Sequence, residues 1–141
     1  MKPFLISFFV FLVIAAKSQP QSTAPSPPVH QLRIYEIFKD NKQAFHERFR
    51  DHAARIMKKY DFNIVAIWES EKADRTEFIY LIEWENEQAM KDRWAKFMAD
   101  QEWIDIKKQT SQKQGKLVGE IEDRLLILRD YSPNTTLLGK D

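Results

Sequence analysis

A chain of 141 residues with 22 basic and 21 acidic side chains carries a formal charge of +1, so it presents no net field for nucleic acid or anionic lipid. Cysteine is absent, which excludes disulfides, thiolate nucleophiles and sulfur-ligated metals, and none of the three glycines (Gly115, Gly119, Gly139) lies in a strand-to-helix turn that could cradle phosphate. Ten Phe, four Trp and four Tyr are a large apolar content for one modest core, of the size that buries only roughly 60 to 70% of its unfolded surface.

Lys2 precedes an apolar run from Phe4 to Ala16, broken only by Ser7, and Ala16-Lys17-Ser18 puts small residues at the two positions a signal peptidase reads. As a helix this run spans about 20 Å, short of the roughly 30 Å of a hydrocarbon core. The pattern predicts a bacterial-type secretory signal peptide over residues 1–18, and a mature protein without membrane anchor in the periplasm or the medium. Residues 19–28 (QPQSTAPSPP) hold four of the six prolines and no charge, the composition of an extended tether. The folded domain is expected over residues 29–131, with 132–141 as a flexible tail.

Val29 to Phe38 alternates as a strand, with Leu32 and Ile34 on one face and Arg33, Tyr35 and Ile37 on the other. Asp40 followed by Gln43 fits a capping box opening a helix over about Asn41 to Lys59. Its apolar stripe is Phe45, Phe49, Ala53, Ile56 and Tyr60. Arg48, Asp51, Arg55 and Lys59 are expected on the solvated side, paired along the helix. Asn63 to Ser70 and Thr76 to Glu85 read as an antiparallel hairpin whose strands are apolar on both faces, with Ile64, Ala66 and Trp68 sharing one of them. Asn86 caps a second helix carrying Met90, Trp94, Phe97 and Met98, and Asp100 opens a short helical turn with Trp103 and Ile106. After the polar Lys107 to Lys116, the run from Leu117 to Tyr131 supplies the last strand.

The order β-α-β-β-α-β is that of an α+β, ferredoxin-like sandwich: a four-stranded antiparallel sheet with both helices on one face. A sheet with two dry faces needs two covering layers, and the chain encodes only one. The economical second layer is the same face of another copy, so a homodimer is expected.

Several segments resemble NIPSNAP domains. They are Leu32-Arg33-Ile34-Tyr35, Phe49-Arg50-Asp51-His52-Ala53, Lys59 to Val65, Trp68, the strand from Phe78 to Trp84, Met98 to Trp103, and Arg124-Leu125-Leu126. Asp61 stands where that family usually has Gly, and Gln101 where it has Pro. The resemblance implies a ferredoxin-like protomer in a dimeric α+β barrel. Proteins sharing that barrel include haem-degrading and quinone-forming monooxygenases as well as stress proteins, so the fold does not choose a reaction.

Among candidate site residues, His46 and His52 are six apart, about 120° around a helix, unlike a zinc-binding pair four apart. No metal and no resident cofactor are expected. His52 falls in the arc of Phe45, Phe49 and Ile56, facing the sheet, as a general base or ligand-orienting group or simply a hydrogen-bonded core histidine. Tyr35, Trp68, Trp84 and Trp103 either line a pocket between helices and sheet or fill the core. Arg33, on an inner strand, needs a partner, for which Glu36, Glu69 and Glu83 are the candidates. The function expected is binding of a small apolar or aromatic molecule by a homodimer. The alternative is a cofactor-free or haem-using monooxygenase-like oxidoreductase, with His52 as base or ligand and Tyr35 beside it.

Overall fold

The computed structural model describes residues 28–134 and 137. The expected signal peptide, nearly all of the tether, and residues 135, 136 and 138–141 lie outside the described residues. Among the described residues, no helix is long and apolar enough to cross a membrane.

Four strands, β1 (Val29–Ile37), β2 (Asn63–Lys72), β3 (Arg75–Trp84) and β4 (Val118–Leu126), form one antiparallel sheet in the order β2-β3-β1-β4. This is the ferredoxin-like α+β arrangement expected from the element order. Register fixes the faces. Val29, Gln31, Arg33, Tyr35 and Ile37 of β1 lie opposite Trp84, Ile82, Tyr80, Phe78 and Thr76 of β3, and all five of these β3 residues are buried under the helices. His30, Leu32, Ile34 and Glu36 pair with Glu83, Leu81, Ile79 and Glu77 on the other face.

Helix α1 covers residues 42–59: α-helical Lys42–Arg48, a π turn at Phe49–Ala53, and α-helical Ala54–Lys59. It does not start on a capping box. Asp40 is consumed in a 3₁₀ turn, Lys39–Asn41, and makes no capping bond, while Gln43 donates to Glu47 instead. The helix ends in a Schellman motif: Phe62 N–H bonds to the Met57 carbonyl, and Asp61 N–H to that of Lys58. Asp61 takes φ 56°, the left-handed conformation that glycine adopts without strain.

Helix α2 (Glu87–Ala99) begins at Asn86, whose side chain accepts the Ala89 N–H. Asp100 does the same for α3, accepting from Trp103 N–H at 3.0 Å. Helix α3 runs from Gln101 to Gln114, well beyond the short turn expected, and ends at Gly115 with φ 72°. Lys107 to Gln114 is polar, yet rich in Gln and Lys, which favour helix, and such a segment needs no apolar stripe when it rides outside the core. The last strand is correspondingly shorter than expected, stopping at Leu126.

The core lies between helices and sheet and is mostly aromatic. Phe45, Phe49 and Phe78 form one cluster, with ring centroids 4.6 to 4.9 Å apart across the Phe78 contacts. Phe62, Trp84, Trp94 and Phe97 form a second.

Candidate functional site

Between the two clusters the packing leaves a cavity of about 250 Å³, walled by β1, β4 and all three helices. Arg33 and Tyr35 of β1 form part of its floor. Phe45, Phe49 and Met57 of α1 and Trp94 and Phe97 of α2 supply apolar wall. Trp103 and Lys107 of α3, with Arg48, Met98 and Ile121, add to the lining. Its volume is just under the range of about 300 to 1,000 Å³ usual for ligand pockets, which restricts it to small occupants.

A polar network runs beneath the floor, buried at Gln31 and Tyr80 and open to solvent at Asp123. The indole N–H groups of Trp84 and Trp94 both donate to Gln31 Oε1, at 3.1 and 2.7 Å. Gln31 Nε2 donates to both oxygens of Asp123 at 2.9 Å. Asp123 also accepts from Arg33 Nη1 at 2.5 Å. Arg33 Nη2 donates to the Tyr35 hydroxyl at 3.1 Å, and this hydroxyl lies 2.9 Å from that of Tyr80. Chaining the groups in this way satisfies donors and acceptors that would otherwise destabilise the interior. One atom is left over, the buried Nε of Arg33. Burial works against the Arg33 cation, but Tyr35, Tyr80 and Asp123 outweigh it and hold its pKa above the ordinary value. Burial, followed by the proximity of Tyr35, pushes the Tyr80 hydroxyl well above the usual tyrosine range, so it stays protonated. Asp123 is thus the partner of Arg33, and the three glutamates expected for that role are engaged elsewhere. Glu36 accepts the Glu120 N–H at 3.1 Å across the missing side chain of Gly119. Glu69 binds Lys42 and His46, and Glu83 lies 3.0 Å from His30.

Of the other sequence-predicted residues, Trp103 and Tyr35 reach the cavity, while Trp84 is wholly buried in the core against Phe62. Trp68 is elsewhere. Pairing between β2 and β3 shifts between Ile64 and Ala66, so Ile64 lies opposite Ile82 under the helices whereas Trp68 lies opposite Ile79 on the uncovered face. One extra residue in a strand reverses every side chain beyond it, and Trp68 is left 49% exposed.

His52 is also not where helical periodicity puts it. A π turn advances each residue by less than the 100° of an α-helix, so His52 in Phe49–Ala53 lags behind the apolar stripe and emerges into solvent. It lines a separate, polar groove between α1 and α3 with Glu47, Gln109 and Thr110. The three histidines are thereby dispersed: His30 with Glu83, His46 2.8 Å from Glu69, and His52 in the groove.

Arg48 is the residue that sequence reasoning misplaced most usefully. It is half-buried, lines both cavity and groove, and its guanidinium sits 5.7 Å from the centre of the Trp103 ring. The Lys107 ammonium is 5.6 Å from the same ring. The expected pairs along the outside of α1 do not form. Arg55 reaches Glu102, Lys59 reaches Asp100, and Asp51 takes its neighbour Arg50. Burial lowers the Arg48 pKa, with only Tyr35 opposing it. The signal for Arg48 was its spacing, three residues after Phe45 and one before Phe49, on the shoulder of the stripe.

A family model described as NIPSNAP matches residues 30–133. The chain belongs to the NIPSNAP family. Among solved structures, this NIPSNAP domain is similar to an uncharacterized NIPSNAP-like domain protein from Burkholderia xenovorans. The identity is 17%, over 80% of this chain and 95% of that one, with a TM-score of 0.65. A NIPSNAP family protein from Agrobacterium tumefaciens superposes with a TM-score of 0.65 at 21% identity, over 75% and 97% of the two chains. A monooxygenase of Streptomyces coelicolor, solved in complex with the ligand nanaomycin D, gives a TM-score of 0.51 at 13% identity, over 82% and 99%. At these identities the likeness is one of fold. Among curated proteins none matches the sequence.

Proposed function

We propose that this NIPSNAP protein is exported, pairs with a second copy of itself, and binds a small apolar or aromatic molecule in the cavity between helices and sheet. The observation that carries the reading is the cavity itself, an aromatic-walled space with a few polar groups (Tyr35, Arg33, Arg48) set in a tightly packed core. Self-pairing is supported by the uncovered sheet face, where Leu32, Trp68, Ile79 and Leu81 form an apolar centre beside Glu36, Glu77 and Arg75. Export is supported by the leader pattern from Lys2 to Ser18. The oxidoreductase alternative would rest on Tyr35 alone, because His52 lies outside the cavity.

Isothermal titration of the purified, processed protein with 2-naphthylmethanol tests the binding reading. The expected result is saturable binding of one molecule per protomer, lost on substituting the half-exposed lining residue, Met98→Trp, without loss of thermal stability. Absence of saturable heat, or binding untouched by Met98→Trp, would overturn it.

A further inference from the structure

Resting on that reading of the cavity, we propose that its ligand is a carboxylic acid with a flat or branched apolar body, the carboxylate lying between Arg48 and Lys107 beside Trp103. The argument begins with an account of charge. Three cations line the cavity, Arg33, Arg48 and Lys107, and no acid does. Arg33 is answered by Asp123. Arg48 and Lys107 are not: among the described residues neither forms an ion pair, and each lies by the ring of Trp103.

Among the arginines this sets Arg48 apart: Arg33, Arg50, Arg55, Arg75, Arg93 and Arg124 each reach a carboxylate, and of the described arginines only Arg48 and the exposed Arg129 do not. Arg48 is half-buried where Arg55 and Arg129 are exposed, so it loses more hydration, yet it stands without a carboxylate. Glu47 beside it in the groove is turned to Gln43, whose amide donates to it at 2.7 Å. A half-buried guanidinium held against an indole is destabilising unless an anion arrives, and cation–π contact makes up only part of the lost hydration.

Head and body can then be assigned by chemistry. Arginine presents a planar fork that matches a carboxylate two bonds at a time, and Lys107 adds one further charge. Phe49, Met57, Trp94 and Phe97 behind them offer only carbon and ring faces, suited to an aromatic or branched aliphatic body.

Titration with 2-naphthoate against 2-naphthylmethanol, which share a body and differ in the head, tests the assignment on the full processed protein. The acid is expected to bind at least about tenfold more tightly, the worth of one charge-assisted contact. That preference should weaken with added salt and fall to near unity in Arg48→Gln. Lys107→Gln, at a half-exposed site, provides the same comparison if the arginine variant does not fold. If the alcohol binds as well as the acid, the cavity reading survives and the carboxylate assignment fails. If neither binds, both fall. A preference that persists in both variants would also overturn the assignment.

Discussion

On the helix side of the sheet, alternate residues of β3 from Thr76 to Trp84 are sealed, and Tyr80, Ile82 and Trp84 have no accessible surface at all. On the opposite side of the same strands, Ile79 and Leu81 are only half-buried and Trp68 stands 49% exposed. Ile79, Leu81 and Trp68 are as apolar as the side chains under the helices, although Arg75, Glu77 and Glu83 flank them on the same face, so their own hydropathy does not explain the difference. What differs is the cover. One face is closed by the chain's own helices; on the other, the segment after β4 reaches His30 and Leu81, and the rest is closed only if something outside the chain supplies the layer.

The strongest way to break this contrast is to cut one residue from each side. Trp84→Ala should cost about 3 to 5 kcal/mol in urea unfolding, because it opens a cavity in a packed core and takes away one of two donors to Gln31. Trp68→Ala should cost well under about 1 kcal/mol in the isolated protomer. Equal losses would mean the two faces are equally enclosed. Next in size, Ile79→Asp places a charge at the centre of the uncovered face and should weaken self-association on the order of 100-fold, with helicity unchanged. Multi-angle light scattering reads this directly, and a wild type that stays single at micromolar concentration would remove the second copy from the account.

A third comparison sets the helix layer against acid. Lys59, Tyr60 and the Trp103 N–H hold the Asp100 carboxyl well below the ordinary carboxylate range. The unfolded chain, with a value of about 3.9, therefore takes up the proton first. The stability contributed by Asp100 is whole above about pH 5 and is lost as pH falls through about 4 toward the folded value. The difference in Tm between wild type and Asp100→Asn should accordingly narrow as the pH is lowered from about 5 to about 2. A constant difference would show that the ionised carboxylate matters less than the hydrogen bonds it accepts.

Smaller effects belong to the edges. Ala73, at the hairpin between β2 and β3, has φ 55°, so Ala73→Gly should stabilise by about 1 kcal/mol in thermal unfolding. His52→Ala should change stability by no more than about 0.5 kcal/mol, as befits a solvent-facing residue. A large loss there would return His52 to the core.

The element order, the two apolar faces and the caps at Asn86 and Asp100 were legible in the sequence because each is a local pattern with a fixed period or a fixed offset. What was not legible follows from single-residue irregularities. The register shift between Ile64 and Ala66 carried Trp68 to the wrong face, and the π turn at Phe49–Ala53 carried His52 out of the core. Neither irregularity is written in a residue type, since a bulge or a π turn is chosen by the fit of the whole layer. Arg33 was recognised as needing a partner, but Asp123 lies on a strand whose register no local pattern fixes. Arg48 looked like surface because charge was weighed above position. Of the cavity, the sequence therefore yielded Tyr35, Trp103 and Arg33 and missed the two unanswered cations.

A single residue, Asp100, separates α2 from α3, and its side chain is tied to Lys59 and Tyr60 at the far end of α1. That corner pins the start of α3 against the end of α1, and the chain just past its other end is held as well, since Asn41 donates to the Lys116 carbonyl and Phe38 N–H to that of Leu117. Trp103, less than one turn from the pin, is thereby a fixed wall for a guest to rest against.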